Sequence, residues 1–381
     1  MTPDHSPAGV RALFLAAGAL FATWGVHVPS VKAHFGVGEQ ALGMAMLGCG
    51  LGAVVGLTQA GRLIGRHGPR PVLLFAGTLG PMAIALLLAG HAYPLVLVLM
   101  FTFGLVSSTF DVAMNVAATD LEQQAKRPMM SGFHGMFSAG GMIGAGVGAM
   151  ALHVGVVAQH HLWMASLVCA LLGCWGATQV GPGRQAGDAG HASFMLAKGP
   201  LGLMGALAAL GLLCEGAMYD WSVLYVREGL KADPGSAAWA YASFSGAMAA
   251  GRFGGDALRA RLKAASLMRW SALLAALGMG VALMFSSVWL ALLGFALVGL
   301  GLANVVPLLF VAAGHVPGVT PAHGIAFVSA LGYLGMMGGP ALIGWVAQTH
   351  GLTLALAQVV GFALILAAAS QRALASHQMA P

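Results

Sequence analysis

Ser107-Ser108-Thr109-Phe110-Asp111-Val112-Ala113-Met114-Asn115 is the stretch whose reading decides the fold. It lies inside an apolar run that starts after Pro94 and ends near Asp120. Such a run is long enough to cross a bilayer, which takes roughly 20 apolar residues. Asp111 then falls in hydrocarbon, where a charge costs about 2.5–3.5 kcal/mol and needs a partner, water or a proton. Ser107 and Asn115 stand four residues to either side, so helical geometry brings all three to one face. That face is expected to turn toward a polar cavity. A helix–helix hydrogen bond of Asp111 with no part in transport is the other reading.

Composition extends this to the whole chain. Hydrophobic residues make up 59% and charged residues 7%, against about 25% charged in a soluble domain. The charges are too few to coat a soluble surface, so the expected class is an all-α polytopic membrane protein. The 57 glycines suit close approach of membrane helices. A net charge of +6 raises the question of nucleic acid. The basic residues fall in short inter-helix loops rather than one patch, which excludes it. Cys49, Cys169, Cys174 and Cys214 all lie in apolar runs without a CxxC pair, so neither a disulfide nor a metal site is expected. The adjacent His160 and His161 are expected in an exterior loop. No cofactor is expected.

Twelve apolar runs can be counted, at about 10–31, 41–61, 71–90, 95–119, 129–154, 161–180, 199–226, 236–256, 265–285, 288–314, 322–347 and 352–371. The first could pass for a signal peptide, but it is long, lacks a clear cleavage site and is followed by more spans; it counts as helix 1. With the N-terminus inside, the cytoplasmic loops collect almost all Arg and Lys, and the outer side keeps only Lys32, Arg227 and Lys231. This predicts both termini in the cytoplasm and a multi-pass protein of the cell inner membrane. The one long polar interruption, Gly181–Lys198, reads as a cytoplasmic linker between a bundle over 1–180 and a second over 199–381. The halves repeat at an offset of about 190 residues. Ala60-Gly61-Arg62 recurs as Ala250-Gly251-Arg252, Gly144 and Gly148 recur as Gly335 and Gly339, and Gly25 recurs as Gly216.

Gly61-Arg62-Leu63-Ile64-Gly65-Arg66-His67-Gly68-Pro69-Arg70 resembles the signature of the major facilitator superfamily between helices 2 and 3, with Gly65 where an acid is usual. The second copy, Gly251-Arg252-Phe253-Gly254-Gly255-Asp256, carries the acid. The resemblance implies the major facilitator fold, with twelve transmembrane helices in two six-helix bundles. Phe110–Asn115, Gly132–Ser138 and Glu215–Ser222 are closer to the MosC-like branch. Asp111 and Asn115 also look like the acid and Asn in helix 4 of fucose permease, which implies proton coupling at Asp111. The residues themselves suggest that Arg62, Arg66, Arg70 and Arg252, with Asp256, act in gating at cytoplasmic helix ends, or are plain positive-inside anchors.

Asp111, Glu215 and Asp220 are the acids inside spans. Asp111 and Glu215 are candidates to load and release a proton, with His134 as a relay or a partner of Asp111. Helix-tying hydrogen bonds for Glu215, and a capping or packing role for His134, stand beside those readings. Trp24, Asn115, Tyr219, Asp220, Trp221 and Asn304, with Asp111 and Glu215, are the candidate solute contacts. Lys32 either snorkels to headgroups or latches onto Asp220 as an outer gate. The glycines of helices 5 and 11 are expected to serve sliding contact between the halves. No GxxxxGK[ST] loop occurs, so the chain is not expected to be an ATPase or another enzyme. The expected function is proton-coupled, alternating-access transport of a small polar solute, such as a sugar, polyol or amino-acid-like metabolite, by a monomer. The alternative is efflux of amphipathic drugs by proton antiport.

Overall fold

A computed structural model describes residues 6–126, 129–181, 199–259, 261–317, 319 and 321–374. Thirteen α-helices run through the described residues: α1 Pro7–Phe35, α2 Glu39–His67, α3 Pro69–Ala85, α4 Tyr93–Ala125, α5 Met130–His153, α6 Ala158–Thr178, α7 Pro200–Leu224, α8 Pro234–Arg259, α9 Ala264–Met284, α10 Val288–Leu302, α11 Val305–Ala313, α12 Pro321–His350 and α13 Leu352–Leu374. Every one of the twelve predicted runs coincides with one of these helices, except that the tenth run is broken into α10 and α11. The break has a local cause. Pro307 has no N–H to give the carbonyl of residue 303, and the helix parts at Ala303 and Asn304. Among the described residues, ten segments are long and apolar enough to span a membrane. The other two predicted spans are α3, only 17 residues long, and α8, whose C-terminal half carries Arg252 and Arg259.

The helix ends follow from the sequence. Pro stands at the start of α1, α3, α4 and α7, where its missing N–H is not needed. Gly68 alone separates α2 from α3. At φ +78 it returns its N–H to the Ile64 carbonyl at 2.8 Å, a conformation open to glycine at little cost. Glu122, past the apolar part of α4, accepts the backbone N–H groups of Met129 and Met130 at 2.6 and 2.8 Å and so caps the start of α5.

The helices gather into two compact units. The first contains α1–α6 together with Asp233–Ala242 at the start of α8; the second contains α7, the rest of α8 from Ser243, and α9–α13. The linker predicted at 181–198 lies outside the described residues from 182 onward. In the first unit α2 packs on α4 and α1 on α5; in the second α7 packs on α12 and α9 on α10. These contacts are made at glycines. A Cβ on Gly144 would stand 2.9 Å from the Ala19 backbone, and one on Gly335 would stand 2.2 Å from the Ala209 carbonyl oxygen. The two contacts are the same contact repeated about 190 residues later, so the internal repeat is a repeat of packing. Gly140 and Gly144 of α5 seat against α1, and Gly335 and Gly339 of α12 against α7, each within its own unit, while Gly146 faces Trp239 of α8.

Gly104 is the tightest of these seats, its absent Cβ being 1.8 Å from the Cys49 carbonyl oxygen of α2. Gly104→Ala should destabilise the protein by roughly 1–3 kcal/mol or more, because α2 and α4 must part. Gly65→Ala, which meets nothing within 4 Å, is the control. Thermal unfolding in detergent should separate the two variants clearly.

Candidate functional site

The first unit holds Asp111. Ser107, Phe110, Asp111 and Met114 of α4 form one wall of a cavity of about 40 Å³, closed by residues of α1, α3, α5 and α6. Asn115 is not in that wall. Its Nδ2 donates to the Asp111 carbonyl at 2.8 Å and to Asp111 Oδ1 at 3.2 Å, tying the acid to its own helix. Ser107 and Asp111 are the polar side chains of a lining otherwise built mainly of Ala, Gly, Leu, Phe, Pro and Met. Every lining residue belongs to the first unit. Asn115 is the one hydrogen-bonding partner of the Asp111 side chain among the described residues. His134 lies edge-on to Phe14 of α1, ring centroids 5.3 Å apart. Trp24 is buried on α1.

The second unit holds a different arrangement. Glu215, on α7, accepts a hydrogen bond from Arg252 Nη2 of α8 at 2.9 Å. Glu215 is 7% exposed and the Arg252 side chain 21%, so the acid of this ion pair is buried and the cation half-buried. The Tyr219 hydroxyl lies beside Ser245 and within the fields of both charges, and its ring packs edge-on against Phe244 at 4.9 Å. One turn further, Trp221 and Ser222 are fully buried, and neither the indole N–H nor the hydroxyl has a hydrogen-bond partner among the described residues. Asp220 is half-buried beside them. Asn304 sits in the α10–α11 break with its Nδ2 3.4 Å from the Gly251 carbonyl, and its Oδ1 occupies the space a Cβ on Gly255 would need. It packs α8 against the break.

Sequence reasoning missed one feature in the first unit. His27 Nε2 and His161 Nδ1 are 2.8 Å apart, both rings buried, and His27 Nδ1 reaches Ser30 Oγ at 3.2 Å. His161 Nε2 has no partner among the described residues. His161 belongs to the first turn of α6, not to an exterior loop. A lone histidine inside an apolar run gives no spacing signal, and only the packing of α1 on α6 reveals the pair. His27→Leu leaves both His161 nitrogens unsatisfied and should cost about 1–3 kcal/mol, whereas His27→Leu with His161→Leu should come close to native stability. Thermal unfolding of the single and double variants checks this.

The sequence profile of the Major Facilitator Superfamily matches residues 12–214. The chain belongs to the Major Facilitator Superfamily. It is 34% identical over 373 residues to an uncharacterized MFS-type transporter of Yersinia pestis, covering 95% of this chain and 94% of that one. It is 31% identical over 362 residues to the membrane protein MosC of Rhizobium meliloti, covering 94% and 87%. Among solved structures, a mutant form of the nucleoside transporter NupG superposes with a TM-score of 0.76 at 11% identity, covering 96% of this chain and 99% of that chain. A D-xylose-proton symporter superposes at 0.73 with 14% identity, covering 95% and 96%. The fold is thus that of a superfamily transporter, spanning the membrane many times.

The superfamily signature takes an unusual form here. Arg62, Arg66 and Arg70 are exposed around the Gly68 break, and none has an ion-pair partner among the described residues. With Gly65 in the acid's place, the first copy contains no carboxylate of its own. In the second copy Arg252 reaches Glu215 instead, and the Asp256 side chain lies outside the described residues. Under the repeat, Arg252 corresponds to Arg62 and Glu215 to Trp24, so the first half keeps the arginine and has an indole where the acid would stand. Lys32, the other candidate gate, forms an ion pair with Glu39 in the first turn of α2 at 2.7 Å. A carboxylate there is also favoured by the helix N-terminus.

Proposed function

We propose that this protein moves a small polar solute across the cell inner membrane by alternating access, coupled to a proton carried on Asp111. The observation that carries the reading is an acid inside an apolar span with no cation in hydrogen-bonding reach among the described residues. Hydrocarbon does not tolerate such a charge without compensation. A proton supplies it, and a carboxyl that is stable only when neutral can carry one proton per cycle. Glu215 differs, because Arg252 already compensates it. Glu215, Arg252 and Tyr219 are therefore proposed as the polar contacts for the solute, with Trp221 contributing a buried donor. Trp24, Asp220 and the exposed arginines of the α2–α3 turn remain the proposed aromatic and gating elements. The charge asymmetry of the loops supports cytoplasmic termini. The structural similarity to carriers of a nucleoside and of D-xylose supports a polar solute at the level of the fold.

The test begins with purified protein. Thermal shift against sugars, polyols, amino acids, nucleosides and amphipathic cations identifies a ligand, since a compound at 100 times its Kd stabilises by about 2.7 kcal/mol. That compound is then added to proteoliposomes loaded with a pH-sensitive dye. Solute-driven proton movement supports the reading; solute flux with no proton movement overturns it. Stabilisation by many unrelated amphipathic compounds would favour drug efflux instead.

A further inference from the structure

We infer that the cavity beside Asp111 is a water-filled proton port for that carboxylate, built inside the first unit and closed to the transported solute by its size. The inference rests on the reading of Asp111 as the coupling acid. Its volume is about 40 Å³, and one water takes roughly 10–15 Å³ on the same scale. About three waters fit. Sites for small organic molecules run to roughly 300–1,000 Å³.

The polar groups stand where water would need them. A buried water requires two to four hydrogen-bond partners. Asp111 Oδ2 and Ser107 Oγ, one helical turn apart on α4 and both on the cavity wall, have no hydrogen-bond partner among the described residues. A water between them accepts from the hydroxyl and donates to the carboxylate. The remaining walls are apolar, and Cys169 of α6 is the only other titratable group among the lining residues. No second charge from α1, α3, α5 or α6 competes for the proton there. Loading transfers a proton from a hydronium in the cavity to Asp111 Oδ2, forming one O–H bond and leaving a neutral water. Unloading reverses the same step. The solute has no part in either.

Gly80 of α3 makes this testable without touching Asp111. A Cβ there would stand 3.4 Å from Val106 Cγ2 and 3.9 Å from Ser107 Oγ, ordinary contact distances, and would take up part of the cavity. The measurement is infrared difference spectroscopy of the protein in lipid across a pH titration. The carboxyl C=O band of protonated Asp111 is assigned by its loss in Asp111→Asn, and its shift on transfer to D2O is timed. Gly80→Ala and Ser107→Ala should each slow that exchange by about tenfold or more, the rate change for roughly 1.4 kcal/mol of barrier, with native-like melting temperatures. Exchange at the native rate in both variants overturns the port while leaving the coupling role of Asp111 intact. Absence of any band lost in Asp111→Asn overturns the coupling reading and the port together.

Discussion

Arg252→Ala should lower the stability of this protein by about 3–5 kcal/mol, the penalty for leaving a buried charge without its partner. The charge left behind is Glu215, 7% exposed and held by Arg252 Nη2 at 2.9 Å. The effect should be lopsided. Glu215→Leu combined with Arg252→Met replaces both charges by apolar groups of similar volume and should recover most of the loss, because the desolvation of the two ions disappears with their attraction. Ligand binding should not recover. If Glu215, Arg252 and Tyr219 contact the solute, the double variant melts near the native temperature yet shows no thermal shift with the ligand that stabilises the native protein. Thermal unfolding with and without that ligand reads both quantities. A double variant that still binds would remove the pair from the solute site.

Asp111→Asn should abolish solute-driven proton movement and leave the fold intact. The substitution keeps the shape of the side chain, and the Asn115 bond to the residue 111 carbonyl at 2.8 Å does not depend on the carboxylate. Stability should change by no more than about 0.5 kcal/mol, or rise, since a site poorly suited to charge has lost its ionisable group. The decisive measurement is dye-reported proton flux in proteoliposomes beside exchange of labelled solute. Proton flux falls to the level of empty liposomes, while solute exchange down its own gradient persists. Loss of exchange as well would make Asp111 a binding residue instead of a proton carrier.

Most of the fold was legible because a bilayer imposes one simple requirement, an apolar run of sufficient length, and ten segments among the described residues meet it; α3 and α8 were legible from their place in the series. The break between α10 and α11 falls at Asn304, three residues before Pro307, inside what the sequence presents as one apolar run. The partners of polar residues were harder to read. Arg252 looked like a cytoplasmic anchor because its motif copy sits at a helix end, and nothing in its spacing points to Glu215 on another helix, 37 residues away. Asp111 was recognisable as an acid in hydrocarbon, but the walls opposite it come from α1, α3, α5 and α6, and their register against α4 is set by packing. The glycines of α5 and α12 were visible as small-residue faces; which helix they receive depends on which neighbour lies alongside. His27 and His161, 134 residues apart, carry no local sign of each other.

The backbone seats on glycine have a mechanical meaning. Gly140 lies on the Leu15 carbonyl and Gly18 on the Phe137 carbonyl, each with no room for even a methyl group. Two helices meshed at that separation have no slack to translate, so α1 and α5 behave as a single beam, and the α7–α12 pair, locked at Gly335, as another. Within the second unit the ladder of hydrogen bonds is already irregular at the α10–α11 break and the π-helical turn Tyr225–Gly229, which are places where a helix can bend without parting these pairs. Spin labels placed along α1 and α5 would then report one unchanging distance throughout the cycle.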